Sequence, residues 1–148
     1  MSLLRPKSKS LGLCHIGQHV KKTGYLLLRF AGIHLVEPLV PISNKEMESD
    51  GLSFVLENLR TTHKLDASKK SSFFGEAGHK ALLKLKRDYL FVSVALSLSD
   101  QEELKIVPLH AGRGWSFVGR KEETQDFPLP ITNQMFTAHL TEAFEIAS

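Results

Sequence analysis

The sequence predicts a single α+β domain, built mainly of antiparallel β-strands in a sheet or sandwich, with one mid-chain helix and one C-terminal helix. The 148 residues suffice for one packed domain and leave little room for two. Apolar residues alternate with small or polar ones from Leu90 to Leu98, which is typical of a strand with one buried face. Beyond Ile131 the apolar residues change to helical spacing, which predicts a helix packed on the sheet.

The composition supports a globular protein whose stability comes from packing. A hydrophobic fraction of 42%, with 24% charged residues and nine phenylalanines, argues against disorder, collagen or a coiled coil as the dominant class. The single cysteine, Cys14, cannot form an internal disulfide. No stretch approaches the roughly 20 apolar residues that cross a bilayer, so a membrane-spanning protein is not expected.

The first part of the chain divides into an arm and the beginning of the domain. Residues 1–10 are rich in Ser, Lys and Arg and have no period, so we expect a flexible basic arm followed by a globular domain over residues 11–148. Tyr25 to Phe30 predicts a strand. Residues 33–40 should continue extended after a turn at Gly32, and their prolines exclude them from a sheet interior.

The middle of the chain predicts a helix and then a long strand. The spacing of Leu52, Val55, Leu56 and Leu59 predicts a helix near residues 51–61, with Ser49 or Asp50 as its N-cap. The period-two pattern already begins at Leu83 and Leu85, so the strand is expected to start there. Its second face carries small residues, which suits packing against a neighbouring subunit or another sheet.

The last third predicts two short strands and the closing helix. One strand contains Leu104 and Ile106 and ends at Pro108, and another follows the Gly112–Gly114 loop from Trp115. Thr132 is a plausible N-cap of the C-terminal helix. The residues predicted on the buried face of that helix are Phe136, Leu140, Ala143, Phe144 and Ala147.

The formal net charge of +3 is unevenly distributed along the chain. Residues 1–36 contain basic side chains and no acid, and residues 60–87 are again strongly basic. Two basic blocks on an otherwise acidic chain indicate an anionic partner, either a phosphate backbone or a negatively charged membrane leaflet. A solvated face or a disordered basic tail is the plainer alternative. The predicted RNA- or lipid-binding residues are Lys64, Lys69, Lys70, Lys80, Lys84, Lys86 and Arg87, together with Lys7, Lys9, Lys21 and Lys22.

Recognisable catalytic and metal-binding motifs are missing from the sequence. It contains no HExxH, Walker loop, GxSxG or CxxC motif, so we predict no enzyme, no catalytic residues and no cofactor. Cys14, His15 and His19 lack the further ligands that zinc requires, so no metal site is predicted. Phe73 and Phe74, beside Lys69 and Lys70, suit either stacking or membrane insertion, although a place in the core is favoured.

The order of segments resembles the matrix proteins of negative-strand RNA viruses, most nearly the small bornavirus type. The likeness covers roughly residues 24–148. It rests on Val36-Glu37-Pro38-Leu39 with Pro41, then Ala77-Gly78-His79, then Asp88-Tyr89-Leu90-Phe91-Val92 leading into Leu96-Ser97-Leu98, and the closing helix Gln134 to Ile146. The basic start Lys7 to Gly12 is also similar in composition to rhabdovirus matrix proteins.

This resemblance implies a non-enzymatic protein that lines the inner face of a viral envelope. It implies a homo-tetramer that binds acidic membrane lipids and, without sequence choice, single-stranded RNA or the viral ribonucleoprotein. A viral glycoprotein tail is a further implied partner, and the implied locations are the virion, the host cytoplasm and the cytoplasmic face of membranes. Tyr25-Leu26-Leu27-Leu28 fits a YxxL budding motif, and Phe127-Pro128-Leu129-Pro130 loosely resembles the FPxV type.

The sequence leaves two other functions open. A small α+β adaptor or nucleic-acid-associated protein would bind RNA or a protein without preferring acidic lipid. An unrecognised enzyme would have a deep polar pocket holding two histidines and an acid.

Overall fold

The computed structural model describes residues 9–31, 34–62, 83–112 and 117–147. The predictions that fall outside these ranges, such as the turn at Gly32 and the Phe73-Phe74 pair, are therefore not addressed by it. The strands are β1 (Lys9–His19), β2 (Tyr25–Ala31), β3 (His34–Ile42), β4 (Tyr89–Leu98), β5 (Glu102–Ala111), β6 (Phe117–Gly119) and β7 (Gln125–Pro128). The helices are α1 (Asn44–Thr62), the short α2 (83–88) and α3 (Asn133–Ile146), with a 3₁₀ turn at Lys121–Glu123.

The strands form one seven-stranded antiparallel sheet. Its order is β3-β2-β1-β4-β5-β6, and β7 pairs with β5 next to β6. The prediction of an α+β domain with a mid-chain helix and a C-terminal helix is confirmed. β3 lies at the edge of the sheet, as its two prolines predict, because proline has no N–H to donate to a neighbouring strand.

The main core lies between one face of the sheet and the helices α1 and α3. Cys14 and Ile16 of β1 point into it, as do Val92, Val94 and Leu96 of β4. The helices contribute Met47, Leu52, Val55 and Leu59 from α1 and the predicted Phe136, Leu140, Ala143 and Phe144 from α3. Period two in the strands and the i, i+3, i+4 spacing in the helices therefore identified the two sides of the same core.

The opposite face of the sheet is covered less completely. A smaller cluster forms there around Leu28, Phe91 and Leu109, and Leu85 of α2 packs against it. Ser93 and Ala95 of β4 lie on this face and are half-buried, as the pattern of small residues predicts.

β1 is a central strand that the pattern analysis did not predict. It pairs with β2 on one side and with β4 on the other, and it begins at Lys9, inside the segment expected to be an arm. Gly12 and Gly17 interrupt its alternation, which explains why it was missed. Both glycines allow close approach, because a Cβ on Gly12 would overlap the backbone of Leu59 in α1 and one on Gly17 would press on the Phe91 ring.

The helix predicted near residues 51–61 is the second part of a kinked helix, and the first part was not predicted. The helix starts at Asn44 with a capping box, in which Ser43 Oγ accepts from the Glu46 amide and Glu46 Oε1 accepts from the Ser43 amide. The bond from the Ser43 amide, followed by the interaction of the Ser43 side chain with the carboxylate, lowers the pKa of the Glu46 carboxyl. The backbone leaves helical geometry at Asp50, the residue proposed as a cap, so the predicted helix is the second part of a kinked one.

Asn133 explains why the kink is tolerated. The side-chain Oδ1 of this first α3 residue accepts from the Leu52 amide at 2.7 Å. Its Nδ2 donates to the Glu48 carbonyl at 2.7 Å. Backbone groups freed at the kink are therefore satisfied from the other helix. Thr132, the predicted N-cap of α3, does accept from the Met135 amide.

The assignment of Leu83 and Leu85 to a strand was also wrong. Residues 83–88 are helical, and β4 begins at Tyr89. Only Leu85 is directed towards the sheet, while Leu83 is exposed. Two leucines two residues apart do not establish a strand, because an isolated pair does not distinguish the two-residue period of a strand from the 3.6-residue period of a helix.

The last part of the sheet extends beyond its predicted limits. β5 continues through Pro108 to Ala111, and β7 was not predicted. β7 pairs with Glu103 to Ile106 and β6 pairs with Leu109 to Ala111. Pro108 falls between the two short strands, where an absent N–H is tolerated on that edge.

Candidate anion-binding surface

The predicted basic residues divide into those the structure describes and those it does not. Lys7, Lys64, Lys69, Lys70 and Lys80 lie outside the described residues. Lys9, Lys21, Lys22, Lys84, Lys86 and Arg87 lie within them.

Sheet pairing brings two distant basic segments together. His19 at the end of β1 is opposite Tyr89 at the start of β4, and the Val20 amide donates to the Asp88 carbonyl at 2.9 Å. The β1–β2 turn therefore abuts the end of α2. Both elements carry exposed cations, and we call these four side chains the basic patch: Lys21, Lys22, Lys84 and Arg87. Lys84 and Arg87 are three residues apart in α2, which places them on one side of it.

The β1–β2 turn and α2 each carry an exposed apolar side chain as well. Val20 is 49% exposed and Leu83 is 45% exposed. Val20 is bonded to the end of α2, and Leu83 begins the described part of that helix, about 7.5 Å away along its axis at 1.5 Å per residue. Residue patterns did not predict the exposure of Leu83, because it depends on which side of α2 faces the sheet.

The turn that carries Lys21 and Lys22 is held by specific bonds. His19 Nδ1 accepts from the amides of Lys21 and Lys22, at 3.0 Å each. Gly24 closes the turn with a φ of 112°, which side-chain-bearing residues rarely adopt, and its amide donates to Asn44 Oδ1 at 2.9 Å. The His19 ring also meets the Tyr89 ring edge-on, with centroids 4.9 Å apart. The backbone of the turn is thus fixed while its lysines are exposed.

Lys86 and Lys9 do not belong to the basic patch. Lys86 is half-buried, because its Nζ donates to the Gly112 carbonyl at 2.5 Å and lies over the Phe117 ring, 5.6 Å from the centroid. Lys9 is at the opposite end of the eleven-residue strand β1, about 30 Å from the turn at roughly 3.3 Å per residue.

The histidines and the cysteine considered for chemistry are separated by the fold. Cys14 and His15 point to opposite faces of β1, since successive strand residues alternate. Burial raises the pKa of the Cys14 thiol, so the thiol stays protonated near neutral pH. His110 Nε2 lies 2.5 Å from Glu123 Oε1, which ties the 3₁₀ turn to β5. Within the described ranges, no cluster of three or more His, Cys, Asp or Glu side chains could hold a metal ion.

His15 provides a test of how acid affects the fold. Burial lowers the pKa of His15 to about 4, from an ordinary value near 6.5. The unfolded chain then binds a proton that the folded chain excludes, so stability is highest above pH 6.5 and falls as the pH decreases towards 4. We expect a loss of at most about 3 kcal/mol, reduced by the water that still reaches the half-buried ring.

Urea unfolding at pH 7, 6, 5 and 4 measures this loss. The variant His15→Gln should have a flatter pH profile than the natural chain, because it lacks the imidazole whose proton the folded chain excludes. Parallel profiles for His15→Gln and the natural chain would contradict the assignment.

An apolar groove of about 280 Å³ lies between α1 and the segment before α3. Leu52, Leu56, Leu129, Pro130 and Ile131 line it. At its polar side, Arg60 donates twice to the Glu102 carboxylate, at 2.9 and 3.2 Å. Its described lining contains no histidine.

The two budding-type motifs lie in ordered structure. Leu27 and Leu28, the last residues of the YxxL-type motif, are buried in β2. Phe127 of the second motif stacks on the His139 ring of α3 at 4.2 Å between centroids. In the folded chain, Leu27 and Leu28 are packed in the sheet and the Phe127 ring is packed against α3. No helix in the described ranges is both long and apolar enough to cross a membrane.

Comparisons with known proteins bear on the fold alone. No family model matches the chain, and no curated protein matches it. Its fold is similar to that of NMB0488, a protein of unknown function from Neisseria meningitidis, with a TM-score of 0.57. The likeness covers 100% of both chains at 14% sequence identity. It supports the α+β architecture and carries no information about activity.

Proposed function

We propose that this protein is a non-enzymatic, peripheral membrane-binding protein that attaches to acidic lipid through the basic patch. The observation that carries the proposal is that the β1–β2 turn, with exposed Val20, Lys21 and Lys22, abuts the end of α2, which carries exposed Leu83, Lys84 and Arg87. Surfaces that lie at a lipid interface combine basic side chains, which meet anionic headgroups, with apolar side chains, which enter the headgroup and acyl boundary.

The same surface fits a nucleic acid less well. A phosphate backbone attracts the cations but offers no apolar surface for exposed aliphatic side chains. Stacking with bases would require exposed aromatic rings. The exposed apolar residues on the two elements that carry the basic patch are Val20 and Leu83, and the nearby Tyr89 ring is half-buried against His19. Membrane lipid is therefore the favoured partner.

The expected affinity of one copy is modest. Each Lys or Arg near an anionic leaflet contributes about 1 kcal/mol, and inserting two partly exposed aliphatic side chains adds about 1 kcal/mol each. The sum, about 6 kcal/mol, corresponds to a Kd of tens of micromolar. Attachment of several tethered copies would raise the affinity by orders of magnitude without any new contact.

The weak affinity expected of a single copy agrees with the self-association that the matrix-protein resemblance implies. As a small matrix protein, the chain would form a homo-tetramer, line the inner face of an envelope, bind RNA or ribonucleoprotein and support virion assembly and budding. Self-association then compensates for the weak attachment of a single copy. The segmented charge and the order of the sequence motifs support this extension of the proposal.

Vesicle flotation tests the proposal directly. The purified protein is mixed with neutral phosphatidylcholine vesicles or with vesicles containing about 30% phosphatidylserine, at 50 and 500 mM salt. We expect binding to the acidic vesicles at low salt, a large loss at high salt, and little binding to neutral vesicles. Light scattering after size-exclusion chromatography reports the oligomer in the same samples.

A parallel titration with a single-stranded RNA separates the second candidate function. The extent of the two basic blocks in the sequence favours RNA as an additional ligand, as in the matrix-protein model. Binding to RNA without binding to acidic vesicles would contradict the membrane proposal and favour a small nucleic-acid-associated or adaptor protein.

A further inference from the structure

We propose that the groove beside α1 binds a small apolar α-amino acid as a free zwitterion, with its side chain against the apolar walls and its charged groups at the Arg60–Glu102 pair. This inference does not depend on the proposed membrane-binding function. Glu102 pairs with Leu98, at the other end of β4 from Tyr89 and the basic patch, about 30 Å away at roughly 3.3 Å per residue. The groove is therefore a separate site.

The apolar walls of the groove are held in place by the main core. Leu52 and Leu56 lie one turn apart on α1, on the same side of the helix as Arg60. Leu129 and Ile131 belong to the facing wall. Leu56, Leu129 and Ile131 are partly buried and pack against the main core. The part of their surface that the core leaves exposed can be covered by an apolar ligand.

A backbone bond ties the facing wall to the polar side of the groove. The Leu129 amide donates to the Glu102 carbonyl at 3.0 Å. Glu102 is also the first residue of β5, and its carboxylate accepts from Arg60. One residue of the sheet therefore positions both the facing wall and the charged pair. Sites for small molecules are usually preformed in this way.

The Arg60–Glu102 pair presents both charges that a free amino acid needs. Arg60 Nη1 donates to Glu102 Oε2 at 2.9 Å, and Nη2 donates to Oε1 at 3.2 Å. These bonds use two of the five N–H groups of a guanidinium and one lone pair on each carboxylate oxygen. The other donors of Arg60 suit a ligand carboxylate, and the other lone pairs of Glu102 suit a ligand ammonium.

The charges of the pair favour a zwitterion over a simple acid or amine. A carboxylate without an ammonium would bring an uncompensated negative charge towards Glu102, and an amine alone would do the same to Arg60 with positive charge. A zwitterion adds one charge of each sign, so the site stays neutral. The Arg60 and Glu102 side chains are 48% and 32% exposed, and an ion pair this exposed contributes little to stability. Turning either side chain towards a ligand should therefore cost little.

The volume of the groove limits the ligand to a small molecule. The groove measures about 280 Å³, whereas pockets for drug-sized ligands measure roughly 300–1,000 Å³. A free amino acid with an aliphatic side chain, such as leucine, suits this size. Because an open groove provides few contacts, we expect a Kd of about 1 mM.

Titration with L-leucine, followed by two-dimensional amide NMR, tests the proposal. The amide signals of residues 52–60 and 129–131 should shift and saturate with a Kd of about 1 mM. Three probes each lack one part of leucine: glycine lacks the apolar side chain, 4-methylpentanoate lacks the ammonium, and 3-methylbutylamine lacks the carboxylate. Each should bind at least about tenfold more weakly than leucine.

Substitutions of the charged pair locate the site. Arg60→Gln and Glu102→Gln should each weaken leucine binding at least about tenfold, because a charge-assisted bond to the ligand is lost. Lys105→Gln is the matched control, since it removes another exposed ion pair of β5, with Asp126 at 4.0 Å. This control should bind leucine as the natural chain does. Urea unfolding verifies that all the variants fold.

Each contrary result overturns a defined part of the proposal. Absence of a saturable shift at the groove up to about 20 mM leucine would refute the site. Equal binding of 4-methylpentanoate and leucine would refute recognition of a zwitterion, and unchanged binding by Arg60→Gln would refute the placement of the carboxylate. Vesicle flotation of the double variant Arg60→Gln with Glu102→Gln, which keeps the net charge, should match the natural chain. Loss of leucine binding without loss of flotation separates the two functions.

Discussion

Reversing the charge of Lys21 and Lys22 to Glu is expected to weaken binding to acidic vesicles by about a hundredfold at 100 mM salt. Both side chains are exposed on a turn whose backbone is fixed by His19 and Gly24, so the double substitution should leave the fold intact. Two attractive charges become two repulsive ones, and each change is worth on the order of 1 kcal/mol or more near the leaflet. Vesicle flotation gives the affinity, and urea unfolding verifies the stability.

The matched control is Arg120→Glu with Lys121→Glu. These adjacent residues are exposed at the 3₁₀ turn, so the double variant has the same net charge as the first one. If only net charge governed binding, the two variants would lose affinity equally, whereas the basic patch requires a much larger loss for Lys21 and Lys22. Equal losses would therefore refute a localised binding surface.

The apolar members of the surface distinguish lipid from RNA. Val20→Ser with Leu83→Ser removes aliphatic surface without changing the charge, so vesicle binding should fall about thirtyfold as the insertion energy of about 2 kcal/mol is lost. RNA binding should stay within twofold, since phosphate contacts need the cations alone. A parallel loss for both ligands would argue against insertion into the membrane.

The second large effect is expected from Gly12→Ala. A methyl group at Gly12 would overlap the backbone carbonyl of Leu59, so β1 and α1 would have to separate. Backbone cannot move aside as a side chain can, and Leu59 is fully buried. Overpacking of this kind costs about 3 kcal/mol, a large share of the 5–15 kcal/mol that holds a typical domain folded. Urea unfolding of the two proteins measures the difference.

Gly51→Ala adds the same methyl group at a position where a flexible side chain can make room for it. The added methyl group meets the sulfur of Met47, the end of a flexible side chain that can move, and alanine favours the helix. We expect the free energy of unfolding to change by about 1 kcal/mol or less. A loss at Gly12 no larger than the change at Gly51 would contradict the close approach of β1 to α1.

Regular patterns predicted the parts of the fold in which one side of an element is buried and the other is not. β4 and α3 belong to this group, and their main-core faces were identified because the periods of two and 3.6 persist over ten or more residues. On β4, however, Leu98 is exposed and Phe91 is buried on the opposite face. β1 escaped prediction because Gly12 and Gly17 replace side chains where another element approaches closely. The start of α1 was missed although Ser43 and Glu46 have the spacing of a capping box.

The presence of the cations of the basic patch depends on the local sequence, whereas their arrangement depends on the tertiary structure. The sequence alone identified two basic blocks, since charge depends only on residue identity. It did not show that the turn carrying Lys21 and Lys22 abuts the helix carrying Lys84 and Arg87, because that follows from the pairing of β1 with β4, two strands separated by about 70 residues. It also wrongly grouped Lys86 with its neighbours, although the Lys86 side chain turns inward to Gly112 and Phe117.

The sequence by itself determined the α+β class, the core faces of β4 and α3, and the presence of cationic segments, because each depends on the identity and spacing of nearby residues. Only the tertiary structure decided which cations share a surface, that Val20 and Leu83 are exposed beside them, and that His19 Nδ1 holds the turn. The physical reason is that exposure, charge proximity and hydrogen bonding between distant segments arise from packing, and no local pattern encodes them.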